Sequence, residues 1–258
     1  LSGIGYENNW AYFQIGRGRE SWGSGGDIQL ALSSDSSPYD YFMLGSDYGK
    51  IRVKYFHGFL ESTKLNINRF INSRGIELTN KRNFIIGLSE IILYSGLNRS
   101  FDFAYLNPIG NHLEIELNNK LNVLGAGSAN AIWQISFDWF LYNKIRISGN
   151  YLIDEFVLDE FEKEKGKNHG QAISSKISIK AFKHNDSIIL FSFSFISVGT
   201  TTFRHYDGNN NFIQRGKPLG WKFGSDSREF KLKAELYNKL KLFSFIECGL
   251  RKSGENNL

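Results

Sequence analysis

From residue 131 to residue 156 the chain reads AIWQISFDWFLYNKIRISGNYLIDEF and alternates with a period of two. Trp133, Ile135, Phe137, Trp139 and Leu141 share one face, and Gln134, Ser136 and Asp138 the other. Past Tyr142-Asn143-Lys144 the alternation resumes, with Ile145, Ile147, Tyr151 and Ile153 against Arg146, Ser148, Asn150 and Asp154. A turn at 142–144 pairs Leu141 with Ile145, Trp139 with Ile147 and Phe137 with Gly149, so the two apolar faces coincide. A slip of one residue would send every side chain to the wrong face. A soluble sandwich buries such an apolar face, whereas a membrane barrel turns it outward to lipid.

The same pattern predicts strands over 9–16, 26–32, 39–44, 50–60, 73–79, 83–94, 171–183, 187–199, 228–236 and 240–251, about twelve in all with the central hairpin. Residues 61–72 read as a polar loop and 157–170 as a charged one. Three-residue turns at 80–82, 184–186 and 237–239 place Leu78 opposite Phe84 and Ile76 opposite Ile86. They also place Ala181 opposite Ile189, Ile179 opposite Phe191, Ile177 opposite Phe193, Leu236 opposite Leu240 and Ala234 opposite Leu242, with Glu235 across from Lys241. Short turns alternate with the long connections 95–130, 157–170 and 200–227. Short turns at one end and long loops at the other are the signature of an antiparallel, up-and-down transmembrane β-barrel. Trp133, Phe137, Trp139, Phe191, Phe193 and Phe195 are expected to face lipid, and Ser136, Asp138, Ser192 and Ser194 to face inward. The inner wall is expected to carry Asp138, Arg146, Asp154, Lys176, Lys180, Glu229, Lys231 and Lys233.

Composition agrees. Twenty-six Gly against 3 Pro, with 22 Phe, 12 Tyr and 5 Trp, suit a strand-rich chain of 258 residues. The most apolar tract, SIILFSFSFISVG at 187–199, is too short for a spanning helix but right for a spanning strand. The net charge of +5 is spread over alternate positions, not gathered in the basic stripe that nucleic acid requires, so no nucleic-acid partner is expected. A lone Cys248 excludes a disulfide framework and a cysteine metal site.

No enzymatic motif survives inspection. Gly16-Arg17-Gly18 lacks the spacing of a dinucleotide fingerprint and no Gly-Lys-Ser/Thr follows, while Gly125-Ala126-Gly127 opens no βα unit. Asp154-Glu155 and Asp159-Glu160 are adjacent pairs, which a strand points to opposite faces. His57, His112, His169, His184 and His205 share no ligand spacing, and no G-x-S-x-G elbow is present. No catalytic residue, cofactor or metal is assigned. The side chains best suited to a ligand are those suited to sugars: planar hydrogen-bonding groups beside an aromatic ring. Arg17, Arg19, Glu20 and Trp22 form one such set, and Arg204, His205, Tyr206, Arg215 and Trp221 another. Asp138, Arg146 and Asp154 would extend it along the inner wall.

The segments IGRGRESWGSGG (15–26), NSRGIEL (72–78) with NFIIGLSEIILYSG (83–96), FDFAYLNPI (101–109), ISGNYLIDEFVLD (147–159) and RHYDGNNNFIQRGKPLGWKFGSDS (204–227) resemble, in order, the capsule-assembly Wzi family of outer-membrane proteins. The resemblance implies a non-enzymatic outer-membrane β-barrel. Its partners would be capsular or extracellular polysaccharide, outer-membrane lipid and other components of polysaccharide export. The family's barrel is larger than twelve strands, so the 258 residues are expected to be a single barrel domain, incomplete and part of a longer chain. A general porin and an outer-membrane hydrolase are the alternatives. A polymer binder should have its lumen plugged by loops, and a porin should keep an aqueous channel.

Overall fold

The structure is a computed structural model and describes residues 2–63, 66–100, 102–112, 115, 129–154, 170–184, 187–206, 208–238 and 242–254. Twelve strands form one antiparallel sheet in which each neighbour in space is a neighbour in sequence. They are β1 (Ser2–Glu7), β2 (Ala11–Gly18), β3 (Tyr39–Asp47), β4 (Ile51–Leu60), β5 (Ile67–Thr79), β6 (Phe84–Leu97), β7 (Ala129–Leu141), β8 (Ile145–Asp154), β9 (Gly170–His184), β10 (Ser187–Val198), β13 (Ser227–Asn238) and β14 (Phe243–Ser253). Between β10 and β13, the two-residue strands β11 (Ile213–Gln214) and β12 (Lys217–Pro218) form a separate small hairpin. The sheet is not closed among the described residues, since β1 pairs only with β2 and β14 only with β13.

The expected count of twelve holds through one exchange. Residues 26–32 form no strand; their only ladder contact is the isolated bridge between Trp22 and Leu32. Ser2–Glu7, which sequence patterning passes over, is a strand. β5 begins at Ile67, inside the expected polar loop, and β6 continues to Leu97 before the short helix α1 (Phe103–Leu106). The charged loop 157–170 up to residue 169, Gly125-Ala126-Gly127 and the Asp159-Glu160 pair lie outside the described residues.

Register follows turn chemistry. The central hairpin pairs Leu141 with Ile145, Trp139 with Ile147 and Phe137 with Gly149, as expected. Tyr142 and Asn143 both take positive φ there, the combination of a type I′ hairpin turn. Between β5 and β6 the turn is four residues, not three, because Asn80 Oδ1 accepts hydrogen bonds from the amides of Arg82, Asn83 and Phe84. Leu78 therefore pairs with Ile86 and Ile76 with Leu88, two positions from the expected register. The β9–β10 pairs Ile179–Phe191 and Ile177–Phe193 hold, but a bulge beside Leu190 places Phe182, not Ala181, across from Ile189. The β13–β14 register moves by four, pairing Leu236 with Ser244, Ala234 with Ile246 and Glu235 with Phe245. The β5–β6 and β13–β14 displacements are even numbers, so faces are preserved, while the β9–β10 shift of one is confined to the bulge that leaves Ala181 unpaired.

The short turns stand side by side. The Asp47 amide donates to the Trp10 carbonyl, Thr79 to Lys50, Phe140 to Asn83 and Lys180 to Lys144, each linking one turn to the next strand. Long connections follow the opposite strand ends. The two faces differ as a barrel wall requires: Trp139 is 44% and Phe193 42% exposed, while Gln134 and Asn150 are 2% exposed. Apolar side chains thus lie outside and amides inside, the reverse of a soluble sandwich. Ser192 and Ser194 are buried on the inner side, and Trp133 and Phe195 are outward but half-buried.

The inner side is filled by residues 19–38, the connection from β2 to β3. Ile28, Leu30, Ala31 and Leu32 of this segment are fully buried. They join inward residues of the wall, among them Phe56, Ile71, Ile91, Ile132, Leu152 and Ile196, and Phe203, Phe212, Leu219 and Trp221 of the β10–β13 connection, in one core. The strand ends at the long-loop side are therefore apolar on both faces, as the run Ile91-Ile92-Leu93 illustrates.

A candidate binding site in a plugged lumen

Residues 19–38 act as a plug because their backbone is tied to the wall. The Ala31 amide donates to Gln134 Oε1 at 3.1 Å and the Ser24 amide to Asn150 Oδ1 at 2.7 Å. The Ile28 carbonyl accepts from Ser174 Oγ at 2.7 Å and from Asn150 Nδ2 at 3.2 Å. An irregular segment carries backbone groups with no ladder partner, and buried groups of that kind must be satisfied; the polar inward positions of β7, β8 and β9 do this. Ion pairs reinforce the seat. Glu20 Oε2 lies 2.6 Å from Lys54 Nζ, and Asp27 lies 2.7 Å from Lys176 Nζ and 3.1 Å from Lys231 Nζ. Burial pushes the Asp27 carboxyl up, but hydrogen bonds and charge from the two lysines outweigh it and hold the group below the ordinary carboxylate value. One segment touching β4, β7, β8, β9 and β13 means that the wall curls around it.

On the short-turn side of the plug lies a cavity of about 340 Å³, lined by Tyr12, Trp22, Arg52, Lys54, Glu77 and Ser136 among others. Arg52 and Glu77, ladder partners on β4 and β5, pair in its wall at 2.7 Å, and Lys54 sits 5.3 Å from the centre of the Trp22 ring. A depression at the turn end, lined by Asp47, Arg52, Lys81, Arg82, Asp138 and Arg146, shares Asp47 and Arg52 with it. Arg146 grips Asp138 bidentately, with Nε to Oδ1 at 2.9 Å and Nη2 to Oδ2 at 2.7 Å. The chemistry of this space is planar hydrogen-bonding forks, hydroxyls and two aromatic rings. Among the described residues no three metal-ligating side chains come together.

The sequence candidates separate into four places. Glu20 and Trp22 belong to the plug. Glu20 is buried beside Lys54, and Trp22 is buried against Phe56 with a rim on the cavity. Arg17 and Arg19 do not join them. Arg17 leaves the outer face of β2 and pairs with Asp40 at 2.9 Å, and the exposed Arg19 donates to the Ser34 carbonyl. The expected four-residue cluster is therefore divided where β2 ends at Gly18. Asp138 and Arg146 mark the turn-end mouth. Arg204, His205 and Arg215 lie at the long-loop end, where the His205 ring lies tilted against Tyr206 and Arg215 occupies the β11–β12 turn with positive φ. Asp154 and Trp221 are enclosed: Asp154 is buried and accepts from the Phe203 amide, and Trp221 is buried with its amide on the Leu30 carbonyl. Tyr12, Arg52 and Lys54 of the cavity escaped the sequence reading, although their spacing of two along β4 placed Arg52 and Lys54 on one face.

A second polar group lies on the outer face. Tyr55, His57, Asn72, Arg74, Glu90 and Tyr94 take outward positions on β4, β5 and β6 and are buried under residues 102–112. Arg74 Nε meets Glu90 Oε2 at 2.7 Å, Arg74 Nη1 donates to the Asn107 carbonyl, and Glu90 Oε1 accepts from the His112 amide. Tyr105 of α1 stacks on Tyr94 with ring centres 4.3 Å apart. The sequence treated this stretch as a connection; it is a strap across the outside of the wall.

No family model and no curated protein sequence matches the chain. Among solved structures, the chain superposes on Wzi, an outer-membrane protein involved in group 1 capsule assembly in Escherichia coli and described as a carbohydrate-binding β-barrel. The TM-score is 0.73 at 11% identity, over 96% of this chain and 55% of that one. OccAB4 of Acinetobacter baumannii also aligns, with a TM-score of 0.40 and 9% identity over 98% of this chain and 61% of that one. The chain thus spans about half the length of Wzi. At this identity the likeness is one of architecture: the chain has the fold of an outer-membrane β-barrel.

Proposed function

We propose that the chain belongs with the Wzi-like barrels of the outer membrane and binds capsular or extracellular polysaccharide during capsule or exopolysaccharide assembly or attachment. It does so without catalysis and with its apolar outer face against outer-membrane lipid. The observation that carries this reading is the plug. A porin needs an aqueous path through the barrel, and here residues 19–38 cross the inner side and pack with the wall in a buried apolar core, with a cavity on the short-turn side of it. That cavity offers charged planar side chains, hydroxyls and ring faces, the set a sugar needs. The carbohydrate binding of the structurally similar Wzi supports the same direction.

Two measurements test it. In planar bilayers the native protein should show no steady conductance, and removal of residues 21–33 should produce one. A stable ohmic current from the intact protein would favour the porin instead. A glycan-binding screen should return surface polysaccharides, and a blank screen would remove the polysaccharide reading.

A further inference from the structure

Toward the long loops the cavity is lined by Ser21, Trp22 and Gly23 of the plug, and Trp22 belongs to the buried core. Toward the short turns it runs into the mouth depression through the shared residues Asp47 and Arg52. That mouth carries four cations, Arg52, Lys81, Arg82 and Arg146, against two carboxylates, Asp47 and Asp138. The cavity behind it adds Lys54 and the carboxylates Glu7 and Glu77, so the excess of cations is at the mouth. Asp138 is taken by Arg146, Arg52 is turned to Glu77, and Lys81 holds Asp47 only loosely at 3.8 Å. The exposed Arg82 guanidinium makes no ion pair among the described residues. We infer that this cavity is the binding site of an acidic saccharide that enters from the short-turn end, its carboxylate meeting the cationic mouth and its ring passing in toward Tyr12 and Trp22. The inference rests on the polysaccharide reading above and adds to it the charge of the sugar and the side of approach.

The physical reasons are separable. An arginine fork receives a carboxylate in two parallel hydrogen bonds, which a neutral sugar does not offer. A cation at the rim of a concave, low-dielectric site draws anions inward, an effect that falls with ionic strength. A volume of about 340 Å³ sits at the low end of the roughly 300–1,000 Å³ of small-molecule sites. It suits a polymer terminus or a single unit, not a threaded chain. Short turns are the periplasmic end of bacterial outer-membrane barrels, so the site faces polymer arriving from inside the cell.

The test uses the protein in detergent micelles, where both ends are accessible, titrated with a glucuronic-acid-containing oligosaccharide and with its carboxyl-reduced neutral counterpart. The acidic form should bind about tenfold more tightly at low salt, with the gap closing as salt is raised. Lys81→Ala with Arg82→Ala, both on an exposed turn, should abolish that gap. Arg215→Ala with Lys217→Ala, at the long-loop end, should leave it intact. If the loop-end pair removes binding and the turn-end pair does not, the inference falls and the polysaccharide reading stands with its site moved. Equal affinity for the two sugars would overturn the acidic assignment. Binding of neither, together with a blank glycan screen, would remove both readings.

Discussion

Lys54 Nζ and Glu20 Oε2 meet at 2.6 Å, joining the inner wall of β4 to the first buried residue of the plug. Glu20 retains a tenth of its side-chain exposure and Lys54 nearly a third, so removing the lysine strands a carboxylate that water barely reaches. Lys54→Ala should cost about 1–3 kcal/mol, less than the ~3–5 kcal/mol of a fully buried pair because Lys54 is partly solvated. Chemical unfolding monitored by tryptophan fluorescence measures it. The double variant Lys54→Met with Glu20→Gln should recover most of the loss, and failure to do so would mean that the pair does not anchor the plug.

Asp27 links the plug to two strands at once, β9 through Lys176 and β13 through Lys231. Its folded pKa is lowered, so its contribution is present above the ordinary carboxylate value of about 3.9 and is lost as pH falls through the lower folded value. Plug retention should therefore be flat from pH 7 to about 5 and weaken below about 4. Asp27→Asn should remove that acid limb. Protease cleavage within 19–38, followed against pH, reports it, and an acid limb that persists in Asp27→Asn would assign the effect to another carboxylate.

Phe193 points outward from mid-β10 while Ser194 is buried inside, 4% exposed. Phe193→Lys should cost about 2–4 kcal/mol when the protein is folded into a bilayer and little in micelles with water-rich interfaces. The sequence alone would make Ser194→Lys mild, but a plugged lumen changes that. Ser194 pairs with Lys231 across the ladder, so a new cation there meets a like charge and a filled core. Refolding into vesicles, compared across both variants, would oppose the membrane orientation if Phe193→Lys inserted as well as the native chain.

Much of this architecture was legible in the sequence, because a period of two fixes the face of every residue and survives errors in turn length. Leu78 was placed opposite Phe84 but pairs with Ile86, and its face is the same either way. Gly26–Leu32 misled because GDIQLAL alternates like a strand, yet its apolar residues pack in a core while wall amides satisfy its backbone. Arg17, Arg19, Glu20 and Trp22 fall within six residues and so seemed to share a site. The strand that orients Arg17 outward ends at Gly18, and past it the alternation no longer applies. Partners such as Lys54 and Lys176 were visible only as inward cations, since nothing local says which segment will cross the lumen to meet them.

The strap over the outer face makes the last prediction. Arg74 and Glu90 are both less than a tenth exposed, although neighbours along the same strands, Ile76 and Leu88, are open on that face. An ion pair in such a position is tolerable only while residues 102–112 cover it: Asn107 supplies a carbonyl to Arg74, His112 an amide to Glu90, and Tyr105 a ring to Tyr94. Replacing Arg74 by Ala leaves Glu90 buried without its cation, a loss of about 3–5 kcal/mol for a fully buried pair. The sheet ladder can persist without the strap, so the loss should appear first as local opening. Hydrogen exchange at the amides of Tyr105 and His112 should accelerate about a hundredfold or more, as expected for at least about 3 kcal/mol of lost local stability. Tyr105→Ala should release the same segment by removing the ring, while leaving the Arg74–Glu90 distance free to hold. Were exchange in 102–112 unchanged in Arg74→Ala and the loss confined to global unfolding, the pair would serve the wall and not the strap.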